Sequence, residues 1–304
     1  MKTVNLTAET GGIRIDRLLS EQTEVSRTRA QKLCDEGLVL VNGKPVKSSY
    51  KPEPGEEISA TIPDDEPLAA EAENISLDIL YEDADIIVIN KPKGMVVHPA
   101  PGAEHGTLVN ALLYHCKDLS GINGVLRPGI VHRIDKDTTG CLVACKNDFA
   151  HEAIAKQLET KTCHREYRAI VTGVLDHDEG MIDAPIGRDP KDRQKMTVTE
   201  HHSRPAITHF HVLEQFKDTT YLECALETGR THQIRVHMRY IGHPVLGDTK
   251  YGTPCRYMDT QGQVLHAYRL TLIHPRTGKE MVFEAPLPEY FQTLLDMLRR
   301  ESMQ

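Results

Sequence analysis

No run of about eighteen apolar residues occurs in the sequence, so no membrane-spanning helix and no membrane partner are expected. The opening residues, MKTVNLTAETGG, hold no apolar signal core, and secretion is not expected. No CxxC pair is found among the seven cysteines (34, 116, 141, 145, 163, 224, 255), which are scattered and odd in number. That disfavours a zinc ribbon or a disulfide framework, and the cytoplasm is the expected location. A dinucleotide fingerprint and a phosphate-binding loop are both missing. Internal repeats and low-complexity tracts are missing too. What remains is ordinary: 304 residues, 39% hydrophobic and 26% charged, excluding wholesale disorder, a collagen-like repeat and a coiled-coil rod. The length suits one large domain or two modest ones.

The net charge of -8 at first argues against a nucleic-acid partner. Its distribution argues otherwise. Residues 64–85 hold nine acidic side chains and no Lys or Arg, and the other 35 acidic residues nearly balance the 36 basic ones. A balanced remainder permits a local basic surface, which is what a phosphate backbone senses.

Three pieces follow one another. Residues 13–60 form a compact first piece with equal numbers of each charge. Residues 61–76, containing IPDDEPLAAEAEN, read as an acidic linker. Residues 77–304 alternate short β-type and helical runs and have the size of one α/β or α+β domain.

In the first piece, Ile15, Leu18 and Leu19 repeat at helical spacing. Ser26 is placed to cap a second helix, RTRAQKLCDE, and Gly37 to end it. Asn42-Gly43 between two β-type runs predicts a tight hairpin, because both residues tolerate positive φ. Arg14, Arg17, Arg27, Arg29 and Lys32 belong to the two helices, and on spacing alone they form a basic, solvated face. RIDRLLSE…SRTRAQKLCDEGLVLVNGKPVK…PGEEI resembles the S4 RNA-binding domain. The resemblance implies an RNA partner contacted through these five side chains; it implies no reaction.

The third piece opens with Ile86–Ile89, a buried strand by composition, and a turn at Lys91-Pro92-Lys93-Gly94. Thr107 is placed to cap the helix LVNALLYHC. Then comes GIVHRIDKDTTGCLVACKN. Residues 129–134 and 141–146 read as β-type, so Asp135 and Asp137 fall at a connection between strands. Reactive groups often sit on such loops. A solvated turn is the alternative, and a magnesium site a weaker one, since carboxylates two apart on an extended chain diverge. Further on, residues 232–241 predict a helix, with Ile234, Met238 and Ile241 as its apolar stripe and Arg235 and Arg239 sharing a face. His232 and His237 are five apart, which is not metal-ligand spacing on a helix. Phe291, Leu294, Leu295 and Leu298 mark a packed terminal helix after Pro288.

NKPKGMVVHP, GIVHRIDKDTTG, HREYRAIVTG, GRTHQIRVH and GHPVLGDTKYG, in this order over about residues 77–285, resemble the RluA/RluD-type RNA pseudouridine synthases. Ile134 stands where Leu is usual, a conservative exchange. The resemblance implies an α+β chain: a small S4-like RNA-binding domain, then a catalytic domain on a mixed, mostly antiparallel sheet crossed by the active cleft. It implies an isomerase that breaks the bond from ribose to N1 of uracil and rejoins the ribose to C5. Neither cofactor nor metal is needed for that. The target uridine must be unpaired or flipped out.

By the same resemblance, Asp135 is the catalytic carboxylate, as nucleophile or as base. Asp137 belongs to the turn. Arg133 contacts RNA and fills the space left by the flipped base. Tyr167 stacks on uracil and assists removal of the C5 proton. Arg235 pairs with Asp135, fixing it as an ionised group. Ile234 lines the pocket and Arg230 meets a phosphate. The S4-like piece points to large-subunit ribosomal RNA, and a monomer is the simplest state. A non-catalytic RNA-binding or ribosome-assembly factor on the same fold is the competing reading; a nuclease using Asp135 and Asp137 stands further off.

Overall fold

The computed structural model describes all residues except 1, 10, 24, 26, 63–69, 101, 118, 121–127, 193 and 304, and all their side chains except those at 2, 28 and 29. Ser26, read as a helix cap, and the Arg29 side chain therefore lie outside the description, as does much of the acidic segment. The chain divides into two compact units, Met1–Pro67 and Leu68–Gln304.

The first unit contains β1 (Lys2–Thr7), α1 (Ile15–Gln22), α2 (Arg27–Asp35), β2 (Val39–Val41), β3 (Lys44–Pro45) and β4 (Glu57–Ile62). Its sheet runs β1-β4-β2-β3, antiparallel throughout. Ile15, Leu18 and Leu19 are buried with Ala30 and Leu33 of α2 and Val39, Ile58 and Ala60 of the sheet. That stripe and its cover are what the helical spacing requires. Asn42 and Gly43 have φ of 50° and 77°, the pair of left-handed residues that a two-residue hairpin demands. β1 precedes the S4-like motif and was not anticipated. Its short polar sequence becomes a strand by pairing with β4.

The second unit begins with β5 (Ile79–Glu82), β6 (Ile86–Lys91), α3 (Leu108–His115), β7 (Thr139–Cys145), α4 (Asp148–Glu159) and β8 (His164–Thr172). β9 (Glu179–Asp183), β10 (Ile186–Arg188), β11 (Met196–Val198), β12 (Ser203–Arg204), β13 (Ile207–Gln215) and β14 (Thr219–Leu226) follow. α5 (Gln233–Tyr240), β15 (Leu265–Ile273), β16 (Glu280–Glu284) and α6 (Glu289–Ser302) complete it. A nine-stranded sheet runs β5-β6-β7-β15-β8-β14-β13-β9, with β16 also paired to β15. Among the described residues only β7 and β15 pair in parallel, so the sheet is mixed and mostly antiparallel. β10, β11 and β12 form a small separate sheet.

Burial on both faces explains the unbroken apolar runs of β6 and β7. Ile87, Ile89, Leu142 and Ala144 face the layer of α3 and α5, whereas Ile86, Val88, Cys141 and Val143 face α4. Successive side chains thus serve opposite cores, as the two-residue strand period dictates. Thr107 caps α3 through a reciprocal arrangement with Asn110. α6 buries Phe291, Leu294, Leu295 and Leu298. Ahead of α3, the Glu73 amide bonds to the Asn110 carbonyl, and the Asn110 amide group donates to the Glu71 carbonyl. Residues 71–75 are thereby fastened to the larger unit.

One expectation is corrected. Residues 129–134 are not a strand: they make a single bridge, Ile130 to Ala144. The ladder stops there because the Val143 amide donates to Nε2 of His132 at 3.1 Å instead of to a carbonyl. β15 pairs in register with β7 at Thr139 and Gly140. The loop that carries Asp135 therefore enters β7 at Gly140, where β6 and β15 are both paired with it.

Candidate active site

The cleft beside that loop has a volume of about 930 Å³. Asp135, Tyr167, Arg235, Arg133, Ile234 and Arg230 all line it. These six come from three stretches of chain: the loop before β7, strand β8, and the turn that runs into α5.

The α5 segment does most of the organising. Arg235 is buried, and its guanidinium is divided between two carboxylates. Nη1 donates to Oδ2 of Asp135 at 2.8 Å. Nε and Nη2 donate to Oδ2 and Oδ1 of Asp248 at 2.6 and 2.9 Å. The fork geometry of arginine is what permits three such bonds in two directions. Burial acts to lower the pKa of Arg235, but the bonds and charges of Asp248 and Asp135 outweigh it and hold the guanidinium charged. At Asp248 burial works the other way, and Arg235 with the amides of Tyr251 and Lys250 keeps the carboxyl below its ordinary value.

Asp135 is also fixed from its own loop. The Thr138 amide donates to the Asp135 carbonyl at 3.1 Å, closing a turn. Lys91 at the end of β6 is fully buried, and its ammonium donates to the carbonyls of Pro92, Met95 and Lys136. The site of the expected turn at 91–94 thus holds a buried amino group that anchors the loop of Asp135. Burial pulls the Lys91 pKa down to about 7, with Asp137 and Asp135 opposing. Asp137 lies against Gly262, where an added Cβ would meet its own at 2.8 Å. Asp137 thus packs against Gly262 whereas Asp135 bonds Arg235, and neither is in a group of converging metal-ligating side chains among the described residues.

Tyr167 projects from β8 between Cys224 and Ala267 of the adjoining strands and is almost fully buried. Burial pushes its hydroxyl up to about 12. Ile234 packs in the same core as Tyr167 and Ile134. Arg133 is exposed at the cleft. Arg230 donates from Nε to the Pro205 carbonyl at 2.9 Å. Burial, Arg204 and Arg165 together lower its pKa. His237 is structural: its ring bonds the Thr208 hydroxyl and the Ala184 carbonyl inside the core.

The five helix residues of the first unit are placed less simply than the sequence implies. Arg14 and Arg27 both pair with Asp16, whose carboxylate is buried and also accepts from Gln31. Arg17 pairs with Glu21, and Lys32 with Glu36. Each of these side chains that is described has an acidic partner in or next to the two helices.

Sequence reasoning missed Lys91, His232, Asp248 and Tyr251. All four lie inside the motifs NKPKG, GRTHQIR and GDTKYG, so the signal was present without an assigned role.

Residues 85–240 match the family model "RNA pseudouridylate synthase", and residues 13–58 match the S4 domain. The chain is 57% identical over 303 residues, 99% of each chain, to an uncharacterized RNA pseudouridine synthase, YlyB, of Bacillus subtilis. It is 46% identical to the ribosomal large subunit pseudouridine synthase D of Neisseria meningitidis serogroup A, covering 97% of this chain and 81% of the relative. Human RNA Pseudouridylate Synthase Domain Containing 4 is similar in structure, with a TM-score of 0.56 and 26% identity over 73% of this chain and 92% of its own. The fold and cleft are those of an RNA-modifying isomerase. The chain belongs to the RNA pseudouridine synthase family, with an S4 domain ahead of the catalytic one.

Proposed function

We propose that this isomerase converts specific uridines of large-subunit ribosomal RNA to pseudouridine in the cytoplasm. Asp135 is its catalytic carboxylate, and Arg235 and Tyr167 are its partners. The observation that carries the reading is the fixed carboxylate: Asp135 held by Arg235 at 2.8 Å, on the wall of a cleft that also presents the buried ring of Tyr167. The substrate follows from the relatives named for the ribosomal large subunit, which resemble this chain over nearly its whole length.

The reaction needs no net addition. The C1′–N1 bond breaks, the base turns, C1′ joins C5, and the C5 proton is lost as N1 gains one. Whether the carboxylate adds to the sugar, adds to the base or removes a sugar proton, the step begins from the same oriented anion. Tyr167 stacks on the flipped uracil and, as a neutral phenol, takes part in moving the C5 proton. Ile234 forms the apolar floor. Arg133 and Arg230 hold the strand around the extruded nucleotide.

Pseudouridines mapped across total RNA from cells lacking the protein test this. The lost sites are expected in large-subunit ribosomal RNA, and they return with the intact chain but not with Asp135→Asn. Loss confined to transfer RNA overturns the substrate. No lost site, together with no turnover by purified protein on ribosomal RNA, favours a binding factor instead.

A further inference from the structure

His232 lies immediately before α5 with φ 58° and ψ 23°, the left-handed region, and its side chain makes no capping bond to the helix. A non-glycine residue in that conformation at a site suggests a constraint worth its strain. The turn sends the imidazole into the cleft, beside Asp135.

Two contacts define the ring's state. Nδ1 is 2.7 Å from the Tyr251 hydroxyl, and that hydroxyl already accepts the Met196 amide at 2.8 Å. The phenol has one proton to give, and Nδ1 is its acceptor among the described residues. The imidazole proton therefore sits on Nε2, which faces Oδ1 of Asp135 at 3.9 Å. The Tyr251 ring stands edge-on to His232, and Arg235 lies over the Tyr251 ring at 5.0 Å. The Tyr251 amide in turn bonds Asp248. The same short segment thus fixes Arg235 through Asp248 and His232 through Tyr251.

The geometry points to His232 as a positioning residue: a neutral imidazole, oriented by Tyr251, that presents Nε2–H to Oδ1 of Asp135 while Arg235 holds Oδ2. The inference rests on the assignment of Asp135 as the catalytic carboxylate. Asp135, Arg235, Asp248, Lys250 and Tyr251 are the charged or titratable groups that face the ring. Burial is the largest influence on it and lowers its pKa, which favours the neutral form. At 3.9 Å Nε2 stands beyond hydrogen-bond range of Oδ1, and the contact closes when the nucleotide fills the cleft, giving the carboxylate a donor on each oxygen and one orientation.

The test uses the full chain and transcribed large-subunit ribosomal RNA, with kcat and KM measured across pH for the wild type, His232→Asn and Tyr251→Phe. Asn tolerates the left-handed backbone but cannot reach Asp135 as imidazole does. Both variants are expected to lose roughly 10- to 100-fold in kcat with KM changed less than about twofold. The acid limb of the His232→Asn profile moves to higher pH, because a carboxylate that loses a donor is protonated more readily. Loosened folding alone would lower kcat without moving that limb. Turnover within about twofold of wild type and an unmoved limb overturn the proposal, as does a loss confined to KM. Nitrogen NMR of histidine-labelled wild type gives a readout independent of turnover and of variant folding. Neutral His232 protonated on Nε2 at neutral pH is expected; a proton on Nδ1, or an imidazolium, overturns it. A wild type with no turnover on ribosomal RNA counts against the proposed function, and the NMR then still decides the tautomer.

Discussion

Arg235 reaches Asp135 across a hundred positions of sequence, and it does so with only one of its three nitrogens. The other two are committed to Asp248. The aspartate on the DKDTTG turn is therefore coupled to a helix and, through it, to the GDTKYG segment. Lysine carries one point charge and cannot span both carboxylates. Arg235→Lys is expected to fold and to lose at least about 100-fold in turnover. Arg235→Ala leaves Asp248 buried without its counter-charge and is expected to cost about 3–5 kcal/mol of stability. Thermal unfolding with single-turnover assays separates the two effects; equal stability of the Ala variant contradicts the coupling.

Tyr167 is neutral throughout the physiological range, since burial pushes its hydroxyl up to about 12. The part in proton movement proposed for it therefore needs the intact O–H and not a phenolate. Tyr167→Phe keeps the ring and should retain RNA affinity while losing roughly 100-fold or more in turnover. Release of label from RNA tritiated at uracil C5 measures it. A Phe variant with more than half the wild-type rate leaves the ring as the working part.

Acid should weaken the second unit through Asp83. Burial raises its pKa, but the amides of Ile86 and Asp85, the Tyr81 hydroxyl and His274 outweigh that and bring it down to about 2. An unfolded aspartate titrates near ~3.9. The folded value is the lower one, so the stabilisation is complete above the unfolded value and is lost as pH falls through about 2. Urea midpoints between pH 5 and pH 2 should fall less steeply for Asp83→Asn than for wild type. Parallel slopes count against the assignment.

Gly140 is where β7 meets β15 in parallel, opposite Ala267. Its φ is 109°, and an added Cβ would overlap the Ala267 carbonyl. Gly140→Ala should therefore cost more than about 3 kcal/mol, since backbone on both sides leaves no flexible group to yield. A denaturant midpoint near wild type would show that the two strands part easily.

Local chemistry made much of this fold legible. Asn42-Gly43, Thr107 and Gly37 announce a turn, a cap and a helix end because each solves a backbone problem within a few residues. The stripes of α1, α5 and α6 follow from periodicity. Residues 129–134 misled because Ile130, Val131 and Ile134 are β-branched, yet the His132 ring takes the amide that a ladder would use. Lys91 was hidden by its type: a buried ammonium is stable only where three carbonyls converge, and no local pattern shows that. Asp135, Tyr167 and Arg235 meet only through tertiary structure, so family motifs could name them and spacing could not. His232 and Asp248 lay within those motifs, and their work became visible only with distances.

Removing residues 1–67 should separate substrate choice from chemistry. Each hydrophobic core falls wholly within one of the two units, and every residue lining the cleft belongs to the second. The truncated chain is expected to fold and keep its cleft. It should turn over minimal RNA substrates near the full-length rate, but bind ribosomal RNA at least about tenfold more weakly and with a shallower salt dependence. Because Arg14, Arg17, Arg27 and Lys32 are paired with acids of the same unit, single substitutions there should weaken binding less than removal of the unit does. Competition between cognate and unrelated transcripts at two salt concentrations measures both effects. Unchanged affinity and unchanged site choice after truncation would remove the first unit from RNA selection.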